Sequence, residues 1–185
     1  LRKFDRFARR DYFHGHSAEE FEEWRKRERI LLSELLGLEK MEVCDLNPVI
    51  IVTKIFPEGI RREHIRIQTE PDVWMTMYLL VPADAGPNTR LFLCPPGHNG
   101  AGKYTVAGLA KYGAVQEKIT QYQYDYGLQL ARRGFAAVCP DCRGFGERRE
   151  AKEDTQDPVL GLKGDCYWLA HMGEPLGIPV AGMLV

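Results

Sequence analysis

A cysteine pair, a glycine–lysine loop and paired charges on a tight turn are the residues here that could do chemistry. Cys139 and Cys142 have the spacing of a redox dithiol or of half a metal site. A redox pair should open a helix, whose dipole lowers the thiol pKa, but Pro140 lies inside this one and glycines follow it. No second such pair completes a tetrahedral zinc site, although His14 and His16 are neighbours, so coincidence explains the spacing better. Gly97, Gly102 and Lys103 resemble a phosphate cradle, but Tyr104 stands where the P-loop pattern needs a Ser or Thr. No metal and no cofactor are expected. Asp141 and Arg143 sit on a turn with Gly144 and Gly146, where a carboxylate and a guanidinium can lock a loop through charge-assisted hydrogen bonds. A structural role is expected for these four.

The elements that must position such residues follow from pattern. Ser17 with Glu20 three residues on is a capping box, and Phe21, Trp24, Leu31, Leu32, Leu35 and Leu36 then recur near the helical period until Gly37. The aromatic lead-in of Phe4, Phe7, Tyr12 and Phe13 is expected to pack onto the main body. Val49–Ile55 is a β-branched strand, and Ile65 and Ile67 alternate with polar neighbours. A turn at Glu70-Pro71-Asp72 joins them to an apolar run at 73–81, in which Thr76 is the polar exception. The apolar run 91–94 predicts a strand buried on both faces. Residues 119–133 predict a helix stopped by Gly134, and 135–139 a second buried strand. This order implies an α/β fold with a mixed, mostly parallel sheet: an antiparallel edge and a helix-covered parallel centre. An N-terminal helical region is expected over 1–45 and the sheet domain over 46–185.

Composition narrows the function. With 44% hydrophobic and 28% charged residues, the chain can build a core, and disorder is not expected. The net charge of −1 gives no general reason to bind nucleic acid or an anionic membrane. Basic clusters at 1–10 and 25–29 read as solvated faces, the second interleaved with Glu22, Glu23 and Glu28. Five cysteines, an odd count without a secretory leader, suit a reducing compartment, and no apolar run could span a bilayer. A cytoplasmic location is expected. Self-association into a homo-oligomer is left open.

Two stretches in this order resemble one family. The strand at 91–94, followed by Pro96-Gly97-His98-Asn99-Gly100, is similar to the loop after the third strand of α/β-hydrolases. Asp141-Cys142-Arg143-Gly144-Phe145-Gly146 resembles the D-x-R-G-x-G stretch after their fourth strand, and 126–138 the helix and strand that link the two. The likeness is to the acetyl xylan esterase and dienelactone hydrolase branch, over about residue 50 onward, with an added N-terminal helical region. Where the family places His before the glycine, this chain has Pro96. The resemblance implies hydrolysis of a carboxylic ester, from a small molecule or a carbohydrate. Ester hydrolysis builds negative charge on the carbonyl oxygen, which main-chain N–H groups must already face. The resemblance implies that His98 supplies one such backbone donor, with Asn99 beside it and Gly97 making the turn.

The nucleophile is not legible. The fold's G-x-S-x-G elbow needs a serine between glycines, and the only two serines, Ser17 and Ser33, belong to the first helix. Cys166 has Gly164 before it but Trp168 where the second glycine must stand. His171 and Glu174 follow too closely to return from later strands as base and acid. The triad is therefore expected beyond Val185. Leu1 in place of Met, and a helix starting near Pro179 just before the end, suit a partial domain. This chain alone is expected to be inactive. The alternative is a catalytically inactive hydrolase-like scaffold that binds a partner.

Overall fold

The computed structural model describes residues 3, 11–98, 101–149 and 166–183. Helix α1 (Ala18–Leu36) is capped as its sequence dictates. Ser17 Oγ accepts from Glu20 N at 3.1 Å, Glu20 Oε2 accepts from Ser17 N at 3.0 Å, and Gly37 closes the helix at φ 66°. Phe13 turns onto this helix rather than onto the sheet, its ring 5.4 Å from Phe21 and 5.6 Å from Trp24. Phe4 and Phe7 lie outside the described residues.

Among the described residues five strands form one sheet: β1 (Val49–Ile55), β2 (Arg61–Glu70), β3 (Val73–Val81), β4 (Leu91–Leu93) and β5 (Ala136–Pro140). Their order is β1-β2-β3-β5-β4. Hairpin β2–β3 turns at Pro71 and Asp72, the latter at φ 62°, a left-handed conformation that Asp tolerates. The β1–β2 turn closes through Phe56 N to Ile60 O at 2.9 Å. The expectation of a mostly parallel sheet is corrected here: β1–β2, β2–β3 and β3–β5 pair antiparallel, and only β4–β5 are parallel. A parallel pair requires a long crossover, and the one between β4 and β5 carries helices.

That crossover contains α2 (Lys103–Val106), α3 (Gly113–Tyr122) and α4 (Tyr126–Ala131). The single helix expected over 119–133 is broken, because Gln123 takes a left-handed φ of 53° and caps α3 through its N–H to Ile119 O. The core lies between the sheet and these helices, where Leu80, Val106, Val115, Ala137 and Cys139 are fully buried. Strand β5 is buried as expected. The other buried-strand expectation, over 91–94, holds at Cys94, which is 2% exposed, but not before it: among the described residues β4 is an edge strand, with Leu91 and Leu93 61% and 71% exposed. A continuous apolar run marks a strand with both faces covered; here the Phe135 ring lies 5.2 Å from Phe92, while Leu91 and Leu93 stay open. Beyond β5, α5 (Cys166–Gly173) and α6 (Val180–Met183) return to α1, where Gly182 lies directly against the Leu36 carbonyl. Among the described residues no helix is long and apolar enough to cross a membrane.

Candidate active site

Two loops leave the carboxyl ends of the neighbouring parallel strands β4 and β5, and together they make the candidate site. In open α/β sheets ligands sit outside such strand ends.

The first loop starts when Cys94 N donates to Val138 O at 2.7 Å, which extends the ladder by one residue. Tyr126 Oη on α4 then donates to the Pro95 carbonyl. Gly97 lies so close to the Tyr124 hydroxyl that a Cβ would collide with it. Gly97 and His98 are both exposed, and the His98 ring stands edge-on to Phe145 of the second loop at 5.8 Å. Among the described residues none accepts a hydrogen bond from the His98 main-chain N–H. Asn99, the third residue expected here, lies outside the described residues.

The second loop is built around Asp141, whose side chain is fully buried. Its carboxylate accepts from Lys103 N at 2.8 Å, Thr76 Oγ1 at 3.0 Å and Glu147 N at 3.1 Å, and it pairs with the Lys103 ammonium. Gly146, at φ 54°, packs against this carboxylate with no room for a Cβ. Arg143 does not pair with Asp141; it pairs with Glu70 at the end of β2. Gly144, at φ 74°, closes the turn by donating to Arg148 O at 3.1 Å. Arg148 in turn reaches the Asp141 carbonyl at 3.2 Å, and burial lowers its guanidinium to about 10.

A layer of charged and aromatic side chains underlies both loops. Glu147 Oε1 accepts from Tyr104 Oη at 2.8 Å and lies 3.0 Å from Lys103 Nζ. His64 Nε2, buried, is 3.2 Å from the same oxygen. Burial pushes the Glu147 carboxyl up, but His64, Lys103 and Tyr104 outweigh it and hold the group at about 2. Burial raises the Tyr78 phenol to about 12, and raises that of Tyr104 further. Sequence reasoning missed Lys103, His64 and Glu147 as a group. The available signal was Thr76: a lone hydroxyl in an apolar strand must find a partner when its strand is central.

Lys103, the lysine of the apparent phosphate cradle, is spent on an ion pair at 0% exposure. Cys139 is buried in β5 and Cys142 half-buried after it, both free, and Cys166 is the first residue of α5. Among the described residues no three His, Cys, Asp or Glu side chains gather as a metal-binding group. Ser17 caps α1 and Ser33 lies within it.

Three comparisons with known proteins bear on this geometry. A sequence model of the Abhydrolase family matches residues 5–159. The structure of a candidate acetyl xylan esterase from Bacteroides fragilis is similar to this one, with a TM-score of 0.75 and 24% identity. That likeness covers 95% of this chain but 43% of the Bacteroides protein, so the chain spans less than half of that protein's length. No curated protein matches.

Proposed function

The chain belongs to the Abhydrolase family, and from that premise we propose that it forms the oxyanion-binding part of a carboxylic-ester hydrolase. The observation that carries this reading is the exposed turn at Gly97 and His98, set at the carboxyl end of β4 beside the β5 loop. A serine nucleophile outside these residues attacks the acyl carbon. The carbonyl oxygen takes up the negative charge, and the His98 N–H donates to it. The acyl–oxygen bond then breaks and the alcohol leaves with the proton given up by the serine hydroxyl, after which water attacks the acyl-serine, releasing the acid and restoring the serine. Fixed donors facing the oxygen need no reorganisation when charge develops, which makes them a large part of the rate. The acyl group is proposed to be small, acetyl in the first instance, on an alcohol that is a small molecule or a sugar. The acetyl xylan esterase assignment of the similar Bacteroides protein supports that choice.

The complete reading frame that contains this chain should hydrolyse p-nitrophenyl acetate, and a serine-directed phosphonate should abolish turnover. His98→Pro deletes one N–H donor and should lower kcat on the order of a hundredfold or more. An unchanged kcat removes His98 from the site. A complete protein with no ester turnover and no phosphonate labelling removes the activity and leaves the hydrolase-like scaffold.

A further inference from the structure

Lys103 is 0% exposed, rare for an ammonium group, and it directly follows the loop that holds His98. Its main-chain N–H donates to Asp141 Oδ1 at 2.8 Å, while its ammonium folds back onto Oδ2 of the same carboxylate. The ammonium also donates to Thr76 Oγ1 at 3.0 Å and lies 3.0 Å from Glu147 Oε1. The Thr76 hydroxyl passes the contact on by donating to Asp141. One residue thus ties the end of the first loop to central strand β3 and to the second loop through a double grip on one buried carboxylate. The start of the loop is held independently, by Cys94 N on β5 and by Tyr126 on α4.

We infer that Lys103 is a positioning residue for the acyl-oxygen site, its buried ammonium fixing where the loop bearing the His98 amide ends. The inference rests on the ester-hydrolase reading for its catalytic consequence, though not for its structural one. With Cys94 held on one side and Lys103 on the other, the His98 amide between them is presented in one place. Released at one end, the loop samples positions from which a donor misses the oxygen, and a misplacement of about 1 Å can cost about a hundredfold in rate. The rival explanation is charge balance alone. One ammonium stands here against the carboxylates of Asp141 and Glu147, and any neutralisation would serve equally.

Three variants of the complete protein separate these. Lys103→Met leaves two carboxylates unopposed and should lower the thermal midpoint. Lys103→Met with Glu147→Gln brings the cluster back to its original net charge, so the midpoint should recover most of that loss. Its kcat on p-nitrophenyl acetate should nevertheless stay about a hundredfold down, with KM within about threefold, because the ammonium half of the grip is still missing. Exchange of the amide at position 103 should be at least about tenfold faster than in the wild type as that end opens locally. Thr76→Val keeps the ion pair but removes the hydroxyl bridge, and should lower kcat severalfold at constant KM. The inference is overturned if the double variant regains wild-type kcat together with its midpoint, or if amide 103 exchanges at the wild-type rate. It is also overturned if Thr76→Val turns over normally. An inactive wild type would sink the ester-hydrolase reading instead, and amide exchange would still decide the grip.

Discussion

The Asp141 carboxylate has most of its acceptor sites filled by Lys103, Thr76 and the Glu147 amide, and its packing is as demanding as its bonding. Gly146 presses directly on it with a positive φ, so an alanine there would meet two penalties, a left-handed backbone and a clash with a buried carboxylate. Neither neighbour can give way without breaking hydrogen bonds to a buried charge. Gly146→Ala should therefore destabilise the fold by about 2–4 kcal/mol, the range expected for overpacking with backbone strain. A urea-unfolding midpoint unchanged from wild type would show that the carboxylate is held more loosely. At this scale the sequence told which residues matter better than whom they touch. Asp141, Arg143, Gly144 and Gly146 stand close together in the sequence, which is what suggests a structural turn. The partners were not legible, because Lys103, Thr76 and Glu70 reach the turn through space from the first loop, β3 and β2. A charge two residues away in sequence looks like the natural partner, yet Arg143 and Asp141 diverge.

Elements were legible in proportion to how local their causes are. The capping box of α1 and the β2–β3 hairpin depend on residues within a few positions, and both formed as their patterns dictate. The break in the helix at Gln123 and the exposure of β4 depend on what packs alongside, which no window of sequence contains. Helix α4 shows how strongly a neighbour can override local preference. At Gly127 a helix by itself would favour alanine by about 1 kcal/mol. A Cβ at this position would lie 2.6 Å from Cys139 Sγ and 3.0 Å from Val106 O, one a strand side chain in the core and the other backbone. Overpacking against such atoms costs about 1–3 kcal/mol or more, so packing should win. Gly127→Ala is expected to lower the thermal midpoint by several degrees, as a net loss of about 1–2 kcal/mol implies. A variant more stable than wild type would mean that α4 can lift from β5 freely.

For the molecule as a whole, what the sequence carried was the order of its parts: strand, glycine loop, helical crossover, strand, second loop. That order is enough to bring two loops to one sheet edge. It is not enough to fix the sheet, which is mainly antiparallel because its other strands join as hairpins or return beside β3. The layer beneath the loops also sets how the molecule meets acid. Glu147 is held at about 2 in the folded state against an ordinary value near 4.5. A carboxyl with a depressed folded value adds stability above its unfolded value and loses it as pH falls towards the folded one. The loss from this group should therefore run from pH 4.5 down to about 2. Urea midpoints of wild type and Glu147→Gln should differ most at neutral pH, where the variant lacks the charge that faces Lys103. The gap should start to narrow below the upper limit and be nearly closed at the lower one. Other carboxylates titrate in both proteins and largely cancel in the difference, so the gap isolates this one group. A gap that stays constant from neutral pH to below 3 would mean that Glu147 faces the same surroundings folded and unfolded, and the layer under the two loops would then not be closed as described.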